Sequence, residues 1–423
     1  MMVRAVTLAL MLLAAGCARE DRRDVLTFSG SAVGREADVL RTQLARFAAE
    51  RGIRVEIRAT PDSADQRHQL YVQWLNARSP EPDILQLDVI WTPEFAAAGW
   101  LLPLDRFAHD TADFFPATLE ANRWQGVLFG LPWFVDVGML YWRTDLFDRA
   151  PGTFDDLAGG AARALRDGRV RYGLVWQAAR YEGLMTVFVE ILGGFGGAIL
   201  DEAGAVAVDA PAAVSALTWM RDAIHREGIV PSAALTWQEE QTRFAFQTGA
   251  AAAMRNWPYA YALLSAGDSA VAGRFAVSPM PAVPGTGAPT GALGGSQLAI
   301  NARTAQPDEA WAVVEYLTAP EQMLERARVV GQFPSRASVY EPGRGLEGVL
   351  GIDPAAARDV VAAARPRPVT PVYTQLSEIL QIRVHRALTR QQEPAAALHE
   401  AAREMRALLA RSGLAAERTT EGP

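Results

Sequence analysis

Cysteine and lysine are the residue types that this sequence uses least. Cys17 is the only cysteine in 423 residues, so no disulfide can form within the chain, even in an oxidising compartment. Lysine is absent and all 41 basic residues are arginine, which excludes a lysine Schiff base and the lysine of a P-loop. None of the five histidines forms a close pair with the spacing of zinc ligands. We therefore expect no metal site and no cofactor.

Long apolar runs and an excess of positive charge are also missing. After the N-terminal segment, no apolar run approaches the roughly 20 residues that a membrane-spanning helix needs. The formal net charge is −7, whereas binding to nucleic-acid phosphates favours a basic surface. We therefore expect a mature chain that crosses no membrane and binds no nucleic acid.

The N-terminal segment has the pattern of a lipoprotein signal. Arg4 precedes a short apolar run that ends in small residues, as a secretory signal does. The stretch Leu13-Ala14-Ala15-Gly16-Cys17 resembles the lipobox of bacterial lipoproteins. The resemblance implies a signal peptide over residues 1–16, an acylated Cys17 that anchors the mature chain to a membrane, and a tether over 17–24. It places the protein in the cell envelope, outside the cytoplasm. The alternative is an ordinary secreted protein with a chance cysteine.

Apolar periodicity predicts an α/β fold. Residues 24–30, 52–60 and 82–91 have the pattern of strands, and helical patterns separate them. Such alternation is typical of a mostly parallel sheet. The aromatic stretch 126–147 predicts two strands with a kink at Pro132, where we place a crossing between two lobes.

The second half of the chain continues the same alternation. A second α/β unit is predicted over residues 153–292. Helices are predicted at 307–318 and 319–329, with a capping box that begins at Thr318. A long helix is expected to begin at Thr370.

Seven segments along the chain point to one family. They are the lipobox region, LDVIWTPEFAAAGWLLPLD (87–105), LPWFVDVGMLYWRTDLF (131–147), NWPYAY (256–261), GALGGSQLAIN (291–301), WAVVEYLTAPEQ (311–322) and RPVTPVYTQLSEILQ (367–381). Together they resemble the extracellular solute-binding proteins of ABC sugar transporters, and among these the trehalose/maltose-binding proteins. The resemblance implies the two-lobed periplasmic-binding-protein fold of type II, with a hinge and a ligand cleft between the lobes. It also implies that lobe closure traps a sugar and that the closed form docks on permease subunits.

The pattern of elements sets the expected boundaries. The N-terminal lobe is predicted to cover residues 25–133 and 296–340, and the C-terminal lobe 134–295 and 341–412. Residues 413–423 are polar and are expected to form a flexible tail. We expect a monomer.

Two aspartates are the first candidates for sugar contacts, because carboxylates accept hydrogen bonds from hydroxyl groups strongly. Asp88 ends an apolar strand, where ligand crevices open in α/β sheets; the alternative is a helix cap before Thr92. Asp136 lies in the apolar segment PWFVDVGML, where an unpaired charge is costly and needs a partner. The family resemblance places a sugar-binding acidic residue at both positions. Trp91 either stacks on the ligand or belongs to the core.

Two aromatic residues are candidates for stacking on sugar rings. Trp257 and Tyr259 flank Pro258, and alternate residues of an extended stretch point to one side. The family resemblance supports both, while the alternative is that they are core aromatics.

A glycine pair is expected to bring the backbone close to the ligand. Gly294 and Gly295 carry no side chain and offer amide donors. Many trehalose/maltose binders have Gly-Gly-Trp here, with the tryptophan stacked on sugar, whereas this chain has Ser296. Ser296 therefore replaces a stacking platform with a hydroxyl, which leaves the identity of the sugar open.

The remaining candidates lie near the two ends of the chain. Arg367 matches an arginine that contacts sugar in the family, and Arg365 could share that role. Ser31 and Glu36, together with Ser29, lie in the first loop, where the family often places polar contacts. They could equally cap the following helix.

The function expected from this sequence is capture of a sugar, a disaccharide such as trehalose or maltose, for an ABC importer. Other cargo, such as an amino sugar, a polyol or a phosphorylated polyol, is the alternative, although an anion would require extra arginines in the cleft. A secreted carbohydrate-active enzyme is less favoured. The adjacent pair Asp155 and Asp156 follows Thr153 and fits the first turn of a helix better than a catalytic pair.

Overall fold

The computed structural model describes residues 25–30, 34–61 and 64–415. The predicted signal peptide, Cys17, the tether, Ser31 and residues 416–423 of the predicted tail lie outside the described residues. None of the described helices is long and apolar enough to cross a membrane.

The elements alternate along the chain as the apolar pattern predicts. The helices, numbered α1 to α14 in chain order, are Gly34–Arg51, Ala64–Asn76, Thr92–Ala97, Pro116–Glu120, Phe154–Arg166, Glu182–Gly194, Pro211–His225, Glu239–Gln247, Tyr259–Leu264, Pro307–Leu317, Pro320–Val330, Pro354–Ala363, Tyr373–Leu388 and Pro394–Arg411. The strands, numbered β1 to β12, are Val25–Gly30, Arg54–Ala59, Ile84–Asp88, Arg123–Trp124, Val127–Leu128, Gly130–Val137, Met139–Arg143, Tyr172–Val175, Ala251–Asn256, Phe275–Pro279, Leu293–Ile300 and Phe333–Pro334.

The first lobe is built on a six-stranded sheet with the order β12-β6-β11-β3-β1-β2. The predicted parallel arrangement is confirmed for β1, β2 and β3, whereas β11 runs antiparallel to both β3 and β6. Helix α1 covers this sheet with Leu40, Leu44 and Phe47, all buried. Each such side chain stabilises the fold by about 1.5–3 kcal/mol relative to an exposed position.

The second lobe is built on a four-stranded sheet with the order β10-β7-β9-β8. Its core joins α6, α7 and α13, through residues such as Phe188, Leu217 and Leu376. Helix α5 begins where Thr153 Oγ1 accepts a hydrogen bond from the backbone N–H of Asp156 at 3.0 Å. The helical interpretation of the Asp155–Asp156 pair is therefore confirmed.

The chain passes from the first sheet to the second at Gly138, between β6 and β7. A Cβ atom at Gly138 would collide with the Glu190 carboxylate, so the crossing has no room for a side chain. Pro132 lies inside β6, at an irregularity where Gln297 pairs with Pro132 and Ser296 with Phe134. The predicted irregularity at Pro132 is therefore present, but the predicted crossing there is wrong.

The strands also correct the predicted lobe boundaries. Both β6 and β11 lie entirely in the six-stranded sheet, so boundaries at 133/134 and 295/296 would cut through them. The chain returns from the second sheet between β10 and β11. The boundaries lie outside β11 because the backbone of this strand is hydrogen-bonded to β3 on one side and to β6 on the other.

The predicted capping box at Thr318 is not formed. The N-cap of α11 is Ala319, which has no side-chain hydrogen bond, and the Thr318 hydroxyl donates to the carbonyl of Val314 at 2.8 Å instead. The preceding helix thus uses this hydroxyl, as threonine often does within or after a helix.

Candidate functional site

A cavity of about 550 Å³ lies between the two lobes. The carboxyl ends of β1, β3 and β6 meet the amino end of β11 at one edge of the six-stranded sheet, which is where ligands bind in α/β sheets. The second lobe closes the other side with the N-termini of α6 and α8. The lining residues are Glu36, Ala64, Asp65, Arg67, Gln86, Asp88, Phe134, Asp136, Tyr181, Glu182, Gly183, Thr186, Gln238, Glu239, Glu240, Trp257, Gly294, Gly295, Ser296, Gln332 and Arg367.

Most of the residues predicted from sequence meet in this cavity. Those that line it are Glu36, Asp88, Asp136, Trp257, Gly294, Gly295, Ser296 and Arg367. Tyr259 does not line it, and Ser31 lies outside the described residues.

Asp136 sits near the end of β6, directly opposite Gly294 in the antiparallel pairing with β11. Among the described residues, none donates a hydrogen bond to its carboxylate or forms an ion pair with it. Burial, and then the charges of Glu36 and Asp88, raise the pKa of Asp136 to about 7, although Arg255 and Arg326 act in the opposite direction. The carboxylate is therefore an acceptor with unused capacity that faces the cavity.

Glu36 is held in place by a short chain of hydrogen bonds. Gln332 Nε2 donates to Glu36 Oε1 at 3.1 Å, and Gln332 Oε1 accepts from Arg326 Nε at 3.0 Å. Arg326 is buried, and its guanidinium lies 3.9 Å from the centre of the Trp133 ring. Burial lowers the pKa of Arg326 to about 10, while Glu36 and Asp136 oppose this change. Burial raises the pKa of Glu36, and Arg326 acts against it.

Trp257 is an aromatic wall of the cavity with one ring face already covered. The guanidinium of Arg255 lies 3.9 Å from the ring centre, and a fully buried ion pair with Glu190 holds that guanidinium. A Cβ atom at Gly294 would lie 3.2 Å from Trp257 Cζ3, so glycine leaves room for the ring beside the strand. The ring can therefore offer one face to a ligand.

Gly295 and Ser296 complete the same wall. Gly295 has a φ of 105°, in the region that favours glycine, and a Cβ atom there would collide with the carbonyl oxygen of Phe134. Ser296 is opposite Asp88 in the pairing of β11 with β3, and its hydroxyl accepts a hydrogen bond from Gln86 Nε2 at 3.0 Å. The Ser296 hydroxyl is therefore engaged with a buried glutamine.

Arg367 joins two cavity carboxylates from different lobes. Its Nη1 donates to Glu182 Oε1 at 2.7 Å and its Nη2 donates to Asp88 Oδ1 at 3.3 Å. Burial opposes the charged form, but Asp88 and Glu182 outweigh it and raise the pKa of Arg367. The exposed Arg365 does not line the cavity.

The geometry predicted for Tyr259 is wrong. Pro258 has helical dihedral angles and Tyr259 is the first residue of α9, so the extended alternation with Trp257 does not occur. The Tyr259 hydroxyl instead donates to Glu240 Oε1 at 2.8 Å. Tyr259 thus supports a carboxylate that lines the cavity and does not itself face the ligand space.

Trp91 and Ser29, for which the sequence left two alternatives each, lie in the packed interior. Trp91 is buried and packs on Tyr71 and Phe95, which settles its place in the core. Ser29 is fully buried in β1, and its hydroxyl donates to the carbonyl of Arg58 at 3.3 Å.

Several lining residues had no signal in the sequence. Glu182, Glu239 and Glu240 fall in the first turns of α6 and α8, where acidic residues are ordinary helix-stabilising choices. Gln86 lies within an apolar strand, and Gln332 lies in a connection between α11 and β12. Only the tertiary fold brings these polar groups to one cavity.

Comparisons with known proteins agree with this architecture. The family described as bacterial extracellular solute-binding protein matches residues 34–324. A probable ABC transporter-binding protein of Deinococcus radiodurans is 34% identical over 384 residues, covering 88% of this chain and 91% of the relative.

Solved structures with the same two-lobed fold include a maltose-bound MalE3 of T. maritima. It is 38% identical, with a TM-score of 0.84, covering 91% of this chain and 100% of that chain. A solute-binding protein of an ABC transporter from Thermotoga lettingae, bound with alpha-D-tagatose, is 25% identical, with a TM-score of 0.81, covering 91% and 100%. The chain therefore belongs to the bacterial extracellular solute-binding proteins.

Proposed function

We propose that this protein captures a sugar in the cavity between its lobes and delivers it to the permease of an ABC importer. The observation that carries the proposal is that Asp136, an acceptor with no donor among the described residues, meets the open face of Trp257 beside Gly294. Sugars present hydroxyl donors and weakly apolar ring faces, and these two groups complement them.

A disaccharide such as maltose or trehalose is the preferred ligand. The cavity volume of about 550 Å³ lies within the usual range of about 300–1,000 Å³ for small-molecule sites. The MalE3 structure of T. maritima, which is 38% identical to this chain, is bound to maltose. Asp88, Glu36 and Ser296 are proposed to add polar contacts to hydroxyl groups.

The charge of the cavity favours an amino sugar as the second candidate. Seven of its lining residues are acidic, and its two arginines are Arg67 and Arg367. Arg367 is already shared between Asp88 and Glu182. A protonated amine would relieve the repulsion between these carboxylates, whereas a phosphorylated polyol would increase it.

Delivery rather than turnover is the proposed outcome of binding. The family consists of solute-binding proteins, and we propose that this chain has no enzymatic activity. We further propose that the two lobes close on the ligand, that the protein acts as a monomer outside the cytoplasm, and that lipid on Cys17 anchors it.

A thermal-shift experiment tests the proposal. The purified protein is incubated with maltose, trehalose, sucrose, glucose and glucosamine. A bound ligand at a hundredfold excess over Kd stabilises the native state by about 2.7 kcal/mol. We expect Trp257→Ala to lose the shift and Trp311→Ala to retain it, because Trp311 packs on Phe107, away from the cavity. Absence of a shift with every carbohydrate, or cleavage of a disaccharide, would contradict the proposal.

A further inference from the structure

A short segment rich in proline lies between the two lobes. This segment, which we call the strap, covers residues 364–370 and contains Pro366 and Pro368. Its backbone is hydrogen-bonded to the end of the segment that joins β10 to β11, where the chain returns to the first sheet. Arg365 N donates to the carbonyl of Gly291 at 3.0 Å, and Leu293 N donates to the carbonyl of Arg365 at 2.7 Å. Proline restricts the backbone on both sides of residue 367. The strap therefore holds the Arg367 side chain in a defined position between the lobes.

The guanidinium of Arg367 contacts both lobes. Asp88 belongs to β3 of the first lobe, while Glu182 is the first residue of α6 in the second. Glu182 is also fixed from its own lobe, because the hydroxyl groups of Tyr373 and Ser377 donate to its carboxylate. The Arg367 side chain is only 3% exposed, so solvent screens these contacts weakly.

Both terminal nitrogens of the Arg367 guanidinium donate to acceptors within the protein. Nη1 reaches Glu182, and Nη2 reaches Asp88 and, at 3.4 Å, the carbonyl of Leu293. Nε is buried and has no hydrogen-bond partner among the described residues. Asp88, by contrast, is 24% exposed at its side chain and lines the cavity, so its second carboxylate oxygen remains available to a ligand.

We propose that Arg367 is a positioning residue that draws the two lobes together by bridging Asp88 and Glu182, rather than chiefly a ligand contact. The inference of a link to ligand capture rests on the function proposed above. Without the guanidinium, two carboxylates from opposite lobes lack a common counter-charge, and their repulsion favours separation. With it, the orientation of a ligand-facing carboxylate depends on the same group that brings the lobes together.

Distances between labels on the two lobes test the bridge without any sugar. The full chain carries Cys17→Ser, and labels are attached through Glu50→Cys in α1 and Glu202→Cys after α6, both at exposed positions. Single-molecule energy transfer is then compared among the otherwise wild-type protein, Arg367→Met, Glu182→Gln and the matched control Arg365→Met. Arg365 lies in the same strap and is exposed, and its backbone forms the hydrogen bonds to Gly291 and Leu293. Its replacement therefore removes an arginine from the strap but leaves the Arg367 guanidinium in place.

We expect Arg367→Met and Glu182→Gln to shift the distribution toward longer distances, and Arg365→Met to match the wild type. Arg367→Lys should shift it partly, because an ammonium cannot donate to both carboxylates with the geometry of a planar fork. An unchanged distribution for Arg367→Met would overturn the proposal, as would an equal shift for Arg365→Met. If Arg367→Met fails to fold by circular dichroism, Glu182→Gln decides, and an unchanged distribution for that variant overturns the proposal.

A second measurement connects the bridge to binding. For maltose or trehalose, whichever gives a thermal shift, we expect Arg367→Met to weaken affinity by roughly tenfold or more and Arg365→Met to leave it unchanged. An unchanged affinity alongside a shifted distance distribution would sever the link to ligand capture and overturn that half of the proposal. If neither sugar binds the wild type, the function proposed above fails, while the distance measurement still tests the bridge.

Discussion

Asp136 lies directly opposite Gly294 in the pairing of β6 with β11, and the Trp257 ring fills the space beside that glycine. A methyl group at Gly294 would stand 3.2 Å from Trp257 Cζ3 and 3.4 Å from Asp136 Cβ. The two side chains proposed to bind the ligand therefore lie on either side of Gly294, a position with little room for a side chain.

The first prediction concerns this glycine. Gly294→Ala should weaken sugar binding by several-fold, because the stacked Arg255 limits how far the Trp257 ring can retreat. Isothermal titration with the sugar that gives a thermal shift measures the effect. Gly267→Ala is the control, since a Cβ atom there meets nothing within 4 Å. Equal affinities for both variants would show that the ring tolerates the methyl group.

The second prediction concerns the pH dependence of stability. The pKa of Asp136 is raised from 3.8 to about 7 in the folded protein, so the folded state binds more protons than the unfolded state between these values. The free energy of unfolding that Asp136 contributes is therefore lost as pH rises from about 4 to 7. Asp136→Asn should remove this loss, making the variant more stable than the wild type above pH 7, by an amount on the order of 1–4 kcal/mol.

Chemical denaturation at several pH values checks this prediction. The difference between Asp136→Asn and the wild type should shrink as pH falls toward 4 and disappear below that, where the carboxyl becomes protonated in both states. Asp268→Asn, at an exposed position, serves as the control. A difference that does not depend on pH would mean that Asp136 does not hold its proton in this window.

The third prediction separates the two candidate ligands. If an amino sugar binds, its affinity should rise as Asp136 ionises near pH 7, because the carboxylate then pairs with the ammonium. Titrations with glucosamine and glucose at pH 5 and pH 7, where the amine of glucosamine is largely protonated, compare a cation with its neutral counterpart. Stronger binding of glucose than of glucosamine at both pH values would favour the neutral sugar.

The fourth prediction concerns the ion pair behind Trp257. Arg255 and Glu190 are both fully buried, so Arg255→Met would leave an uncompensated carboxylate in the interior. Loss of one partner from such a pair typically destabilises a protein by about 3–5 kcal/mol. Urea denaturation measures this loss, and Arg274→Met at an exposed position should change stability by less than about 0.5 kcal/mol.

The fifth prediction concerns the membrane anchor. Cys17→Ser should release the protein from membranes, since acyl chains contribute about 0.8 kcal/mol per buried methylene. Fractionation of cells that produce the wild type and the variant measures the distribution. Retention of Cys17→Ser in the membrane fraction would identify some other means of attachment.

The sequence predicted helices and strands well where apolar periodicity agreed with the residues that begin or end an element. The strands β1, β2 and β3 and the helix that follows Thr153 were found because each depends on residues close in the chain. Tyr259 was misassigned because helical angles at Pro258 ended the extended stretch one residue earlier than alternation required.

The sequence by itself determined the α/β class, the absence of disulfide and lysine chemistry, and the candidates Asp88, Asp136 and Trp257. Only the tertiary structure decided that Glu182 and Gln332 join them and that Arg367 bridges two carboxylates. Local pattern reports which face of an element is buried, because that depends on neighbours three or four residues away. The partners of Arg367 lie 279 and 185 residues away in the chain, so their meeting depends on how the two sheets pack.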